Sequence, residues 1–164
     1  MPFRKPRRLP PSNYVGERAV SLTICTNDRA HHFTSALIVE AVLLRFRQHA
    51  RHELVALLAY CFMPDHLHLL VSGGRPDADV GRFLTRAKQS SGHWFSVEFG
   101  ARLWQRYAWD RVLRHEEDTL SAIRYLLANP VRAGLVQHPL EYPFSGSDVY
   151  SHEDLLSAFD RRAG

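Results

Sequence analysis

The stretch Met63-Pro64-Asp65-His66-Leu67-His68-Leu69-Leu70-Val71 decides how the rest of the chain is read. Pro64 and Asp65 are a turn signal between two apolar runs, Glu53 to Phe62 and His66 to Ser72, so the segment reads as a β-hairpin. In an extended strand, residues i and i+2 share a face. Leu67, Leu69 and Val71 therefore point one way, and His66 and His68 the other. The first face buries three aliphatics. The second presents two neighbouring imidazoles, which is how a strand offers two ligands to a metal ion. A hydrogen-bonded structural pair is the competing reading. Asp65 favours the metal, because a carboxylate beside the pair can orient an imidazole from behind the ion. Two imidazoles leave a coordination shell incomplete, so a third protein ligand is expected elsewhere.

Working outward, Arg18 to Thr26 alternates apolar and polar residues with β-branched side chains and reads as the first strand. Asn27 to Arg29 is a turn. Thr34 or Ser35 caps a helix to about His49, with Leu37, Ala41, Leu44 and Arg45 at helical spacing. After the hairpin, 73–76 is a loop and Asp77 an N-cap. A long helix over about 78–99 turns Val80, Phe83, Leu84, Ala87, Trp94 and Phe95 inward. A fourth strand is expected near Trp109 to Arg114. His115-Glu116-Glu117-Asp118 opens a further helix to Ala128, its acidic first turn suited to the helix dipole. Asn129-Pro130 interrupts it, and a short helix over 131–133 ends at Gly134. The order β-α-β-β-α-β followed by helix predicts an α+β fold. It is a ferredoxin-like split βαβ antiparallel sheet with helices on one face and a C-terminal helix beyond. The expected organisation is a flexible basic arm over 1–13, a single domain over 14–150 and a tail over 151–164.

Composition limits the function classes. The chain has 164 residues, 45% hydrophobic and 23% charged, as in an ordinary globular domain. No apolar run approaches the ~20 residues that span a bilayer. Prolines break the basic N-terminus and no apolar segment follows, so it does not read as a signal peptide and a cytoplasmic location is expected. Cys25 and Cys61 lie in apolar β-like runs and read as small buried hydrophobes, which rules out a Cys-rich zinc site. The net charge of +4 comes mostly from arginine and fits either a polyanionic partner or a solvated basic surface. Arg4, Lys5, Arg7 and Arg8 sit between prolines, as an arm tracking a nucleic-acid backbone or as a plain tail.

The helix before Asn129-Pro130 supplies a candidate partner for the histidines. At about 100° per residue, Leu120, Ile123 and Leu127 form its packing face. Tyr125 and Asn129 lie four apart on the roughly opposite side, as neighbours. A tyrosine needed only for packing belongs on the leucine face. Tyr125 can instead be a nucleophile toward phosphorus, with the Asn129 amide oxygen completing a metal shell. The alternative is a half-exposed tyrosine and an asparagine that merely begins a turn.

These segments together resemble the single-tyrosine HUH transposases, in particular the REP-associated kind. The likeness rests on Met63 to Val71, Trp104-Gln105, 110–114, 116–118, and Ile123-Arg124-Tyr125 through Asn129-Pro130-Val131-Arg132-Ala133-Gly134-Leu135-Val136, and spans residues 14 to about 145. It implies that His66 and His68 are the metal-binding pair and Tyr125 the nucleophile, carried on the C-terminal helix. Asn129 would be the third ligand, and a divalent ion, Mg²⁺ or Mn²⁺, the cofactor. The implied activity is cleavage and rejoining of single-stranded DNA at the foot of an imperfect hairpin, through a covalent 5′-phosphotyrosine. The implied assembly is a monomer or a homodimer.

The chemistry of the residues agrees. Phosphodiester cleavage needs charge stabilised on the non-bridging oxygens, which a Lewis acid supplies, and an in-line nucleophile. A tyrosyl ester is reversible, as strand transfer without net hydrolysis requires. Arg82, Arg86 and Lys88 of the second helix, with the basic arm, are then expected on the DNA backbone. Trp104, Tyr107 and Trp109 are expected in the core or stacked on unpaired bases. Two rival functions are a catalytically quiet, sequence-specific DNA-binding protein of the same fold and a metal-free phosphodiesterase that uses the histidines as acid and base.

Overall fold

The structure is a computed structural model, and it describes residues 15–113 and 119–161. The arm residues Arg4, Lys5, Arg7 and Arg8 and the acidic opening at 115–118 lie outside these. Among the described residues no helix is long and apolar enough to cross a membrane.

Through α4 the elements follow the predicted order: β1 (Ala19–Thr26), α1 (Ala36–His52), β2 (Val55–Met63), β3 (His66–Gly73), α2 (Val80–Phe99), β4 (Trp104–Val112), α3 (Thr119–Leu127) and α4 (Asn129–Arg132); β5 (Ser145–Gly146) and α5 (His152–Asp160), which were not expected, come after them. The five strands form one antiparallel sheet in the order β4-β1-β3-β2-β5. The first four are arranged as a split βαβ sheet, with the histidine strand β3 at its centre.

Strand alternation sorts the sheet into two faces. Leu67, Leu69 and Val71 point to one, together with Val20, Leu22, Ile24, Leu57, Phe62 and Ala108, and α1 and α2 close over them. Each aliphatic fully buried in this way contributes roughly 1.5–3 kcal/mol. Phe33, Phe46, Phe62, Phe83 and Trp104 meet there in edge and tilted contacts. The one buried hydroxyl of α2, Ser91, donates to the Ala87 carbonyl at 2.6 Å and accepts from Trp104 Nε1 at 2.9 Å. On the opposite face α3 and α5 pack Ile123, Leu126, Leu127 and Leu155 against Leu58, Ala59, Cys61, Met63 and Leu70.

Several boundaries differ from the expected ones. The buried stripe of α1 is Ile38, Val39, Val42, Leu43, Phe46 and Ala50, whereas Leu37 and Leu44 are exposed. Residues 36–39 and 41–44 are apolar almost without a break, so periodicity could not set the phase of this helix. Ser35 is its cap, and Asp79 rather than Asp77 caps α2, accepting from Arg82 N at 2.9 Å. β4 starts at Trp104, five residues earlier than expected, because an edge strand with one exposed face and a register shift opposite Ile24 and Thr26 loses clean alternation. On α3 the packing residues are Ile123, Leu126 and Leu127. Residues 151–164, expected as a tail, contain α5, opened by a reciprocal Ser151–Asp154 capping box.

Candidate active site

Pro64 and Asp65 are the two residues between Met63 and His66, which pair directly across the hairpin. Their carbonyls are satisfied by the last residue of β1 and by the segment that follows it. Asp65 O accepts from Thr26 N and Thr26 Oγ1 at 3.0 Å each, and Pro64 O accepts from Phe33 N at 3.0 Å. The turn is thus fixed on both sides, and so is the start of β3.

His66 and His68 lie on the sheet face that carries α3, with ring centroids 4.6 Å apart and planes nearly perpendicular. Their Nε2 atoms are 3.0 Å apart. Each Nδ1 is held from behind. His66 Nδ1 donates to Asp65 Oδ1 at 2.6 Å, and His68 Nδ1 lies 3.1 Å from the hydroxyl of Thr23. In the tautomer that carries the proton on each Nδ1, both Nε2 atoms are acceptors, 3.0 Å apart. Two imidazole nitrogens 3.0 Å apart, with the Asn129 amide oxygen on the adjoining cleft, make a mixed nitrogen–oxygen donor set of the kind that suits Mg²⁺ or Mn²⁺. The donor set therefore fits such an ion.

The electrostatics keep His68 ready to ligate. Burial first, then the neighbouring His66 and the charges of Arg132 and Arg29, pushes His68 down to about 4, so it is a neutral imidazole near pH 7. Burial would raise the Asp65 carboxyl. Hydrogen bonds from His66 and Arg29 outweigh it and hold Asp65 below the usual carboxylate range. Arg29 reaches Asp65 Oδ2 at 2.9 Å and also contacts Cys25 Sγ at 2.7 Å. Both cysteines are buried and free, and burial raises both thiols, Cys61 to about 12, which makes them the small buried hydrophobes expected.

His68, Tyr125 and Asn129 line one cleft of about 510 Å³. Its floor is Ser21, Thr23, His68 and Leu70, with Arg111 and Leu113 at the β4 side; its wall is Ser121, Ala122, Tyr125, Leu126 and Asn129. Tyr125 is 70% exposed, off the packing face of α3. His66 is not a lining residue and joins the group through His68. Asn129 begins α4 after α3 ends, so a break in the helix sets where it points. Its Nδ2 donates to Leu126 O at 2.8 Å. Its Oδ1 accepts from Arg132 Nη2 at 2.9 Å, which leaves a second lone pair for another partner. Gly134, at φ +74°, closes α4 with bonds from Gly134 N to Val131 O and Leu135 N to Pro130 O.

Arg132 is one residue that sequence reasoning missed. Its guanidinium lies 4.1 Å from the Tyr125 ring centroid and donates to the Tyr125 carbonyl at 2.9 Å as well as to Asn129. Spacing could have flagged it, since Arg132 lies one turn beyond Asn129. Thr23 was also missed, because only strand register places it opposite His68.

The arginines expected on DNA sit elsewhere. Arg82 and Arg86 project from α2, on the sheet face away from the histidines, and pair with buried Glu53 at 3.6 and 3.0 Å. Lys88 Nζ reaches the edge strand, donating to Gln105 O at 3.1 Å. Trp104 is a core residue, while Tyr107 and Trp109 are exposed.

A family model described as "Transposase IS200 like" matches residues 15–122. A Haemophilus influenzae protein named "Putative REP-associated tyrosine transposase" is 25% identical over 134 residues, covering 75% of this chain and 76% of that protein. The "REP-associated tyrosine transposase" of Escherichia coli is 25% identical over 87 residues, 53% of this chain and 51% of that protein. Among solved structures, one described as a REP-associated tyrosine transposase bound to a REP hairpin superposes with a TM-score of 0.71 at 18% identity. It covers 93% of this chain and 96% of the other, and it is a likeness of fold.

Proposed function

The chain belongs to the IS200-like transposase family, whose members cut and rejoin DNA, and from that premise we propose that it acts on single-stranded DNA beside a hairpin, with Tyr125 as nucleophile. The observation that carries this reading is the shared cleft: His68 from β3, Tyr125 from α3 and Asn129 from α4 border one space. The family match stops three residues before Tyr125, so the tyrosine's role rests on this geometry.

The Tyr125 hydroxyl attacks the scissile phosphorus. A Tyr125 Oη–P bond forms, the P–O3′ bond breaks, and the 3′ oxygen leaves and takes up a proton. Rejoining is the reverse, with a 3′ hydroxyl displacing the tyrosine. His66, His68 and Asn129 would hold a divalent ion, Mg²⁺ or Mn²⁺, which when bound supplies Lewis-acid stabilisation of the non-bridging oxygens. Asp65 and Thr23 orient the two imidazoles. Arg132 keeps Tyr125 and Asn129 in one arrangement and places a permanent positive charge where the phosphate approaches. Backbone contacts are assigned to Arg111 and Arg132 on the cleft side, ahead of Arg82 and Arg86 across the sheet.

The test incubates the protein with labelled single-stranded hairpin DNA and Mn²⁺. The expected product is a protein–DNA adduct that is lost on adding EDTA and absent in Tyr125→Phe. Robust cleavage in that variant, or without metal, contradicts the mechanism. Hairpin binding with no adduct under any condition supports a DNA-binding module instead.

A further inference from the structure

The cleft does not end at His68. Direct partners in an antiparallel ladder point to the same face, and the register pairs Trp109 with Thr23 and Thr23 with His68. Trp109, Thr23 and His68 therefore form one row across β4, β1 and β3. The Thr23 contact to His68 Nδ1 confirms that these side chains share a side. Ala108, next to Trp109, is buried against the opposite core, as alternation requires. Two strand spacings put Trp109 roughly 10 Å from His68 between Cα atoms.

Among the described residues, packing does not account for Trp109. It is 46% exposed, and Tyr107 on the same strand is 39% exposed. The packing of α3 is with β2 and β3, while β4 stays at the sheet edge. Cations flank the pair: Arg106 lies 5.6 Å from the Tyr107 ring centroid, and Arg111, the next same-face residue after Trp109, lines the cleft. Exposed aromatics bordered by arginine are the composition of a single-strand platform, where rings stack on bases and cations follow the backbone.

We propose that Trp109 is a stacking platform for an unpaired base of a single-stranded nucleic acid that continues from the cleft along the β1–β4 edge. Resting on the functional reading above, it assigns that site a neighbouring nucleotide subsite. Because every base has a π-face, stacking there is sequence-tolerant and selects unpaired over paired strands. Trp109 is a binding residue and touches no reacting atom.

The test titrates intrinsic tryptophan fluorescence with a single-stranded oligothymidylate and with a blunt duplex of equal length. Wild type is expected to be quenched by the single strand and much less by the duplex. Trp109→Phe is expected to lose the quench and keep affinity within a few-fold. Trp109→Ala is expected to weaken single-strand binding about 5- to 100-fold. A quench that survives in Trp109→Phe, or wild-type affinity in Trp109→Ala, overturns the proposal. The adduct assay tells the two readings apart: stacking without adduct leaves the platform standing and removes the nuclease. Adduct formation with wild-type affinity in Trp109→Ala does the opposite.

Discussion

The two faces of the sheet use the same strands for different ends. The face under α1 and α2 is closed: five phenylalanines and Trp104 fill it, and the buried Ser91 hydroxyl both donates and accepts. The face under α3 and α5 is closed over β2 and part of β3, and beside that Ser21, Thr23 and His68 line an open cleft. One well-packed face can stabilise a sheet of this size. The other is then free to hold imidazoles, hydroxyls and an exposed tyrosine that a fully buried layer would exclude, since unpaired polar groups are costly to bury. Strand alternation makes the division possible, because neighbouring residues on β3 belong to different layers.

Three substitutions test this division. The largest effect is expected on the closed face. Phe83→Ala removes a fully buried ring that meets Phe46 edge-on, and should cost about 3–5 kcal/mol in denaturant unfolding. A cost below 1 kcal/mol would mean that this face is not the stabilising one. On the open face, Thr23→Val keeps shape and removes the group behind His68 Nδ1. It should lower Mn²⁺ affinity by about 10- to 100-fold in a calorimetric titration while leaving the unfolding midpoint nearly unchanged. Unfolding at a much lower midpoint would make Thr23 a structural residue and erase the contrast. The smallest effect is expected from Asp79→Ala, which removes the cap of α2 and should cost about 1 kcal/mol, read as a fall in Tm.

Much of the architecture was legible in the chain. The turn at Pro64-Asp65, the alternation through β3 and the long stripe of α2 each follow from a local pattern, and the split βαβ order follows from their sequence. Phase and boundaries were less legible. The apolar run at the start of α1 fits several helix faces, so only packing on the sheet settles which residues are buried. β4 is an edge strand with a register shift, and its exposed Tyr107 and Trp109 disguise its length. α5 was missed because its apolar positions are few and its packing partner is α3, where Arg124 bonds the Ala158 carbonyl 34 positions on.

By itself, the sequence determined that His66 and His68 share one strand face and that Tyr125 leaves the packing face of its helix, because both follow from backbone periodicity. It also determined the β-α-β-β-α-β order of the elements. Only the tertiary structure decided that Thr23 stands behind His68, that Arg132 ties Tyr125 to Asn129, and that Trp109 continues the histidine row. Those relations depend on strand register and on a helix break placing residues tens of positions apart side by side, and no local pattern carries that information. The same holds for Arg82 and Arg86: their charge was plain in the chain, but only the fold turned them to Glu53 and away from the cleft.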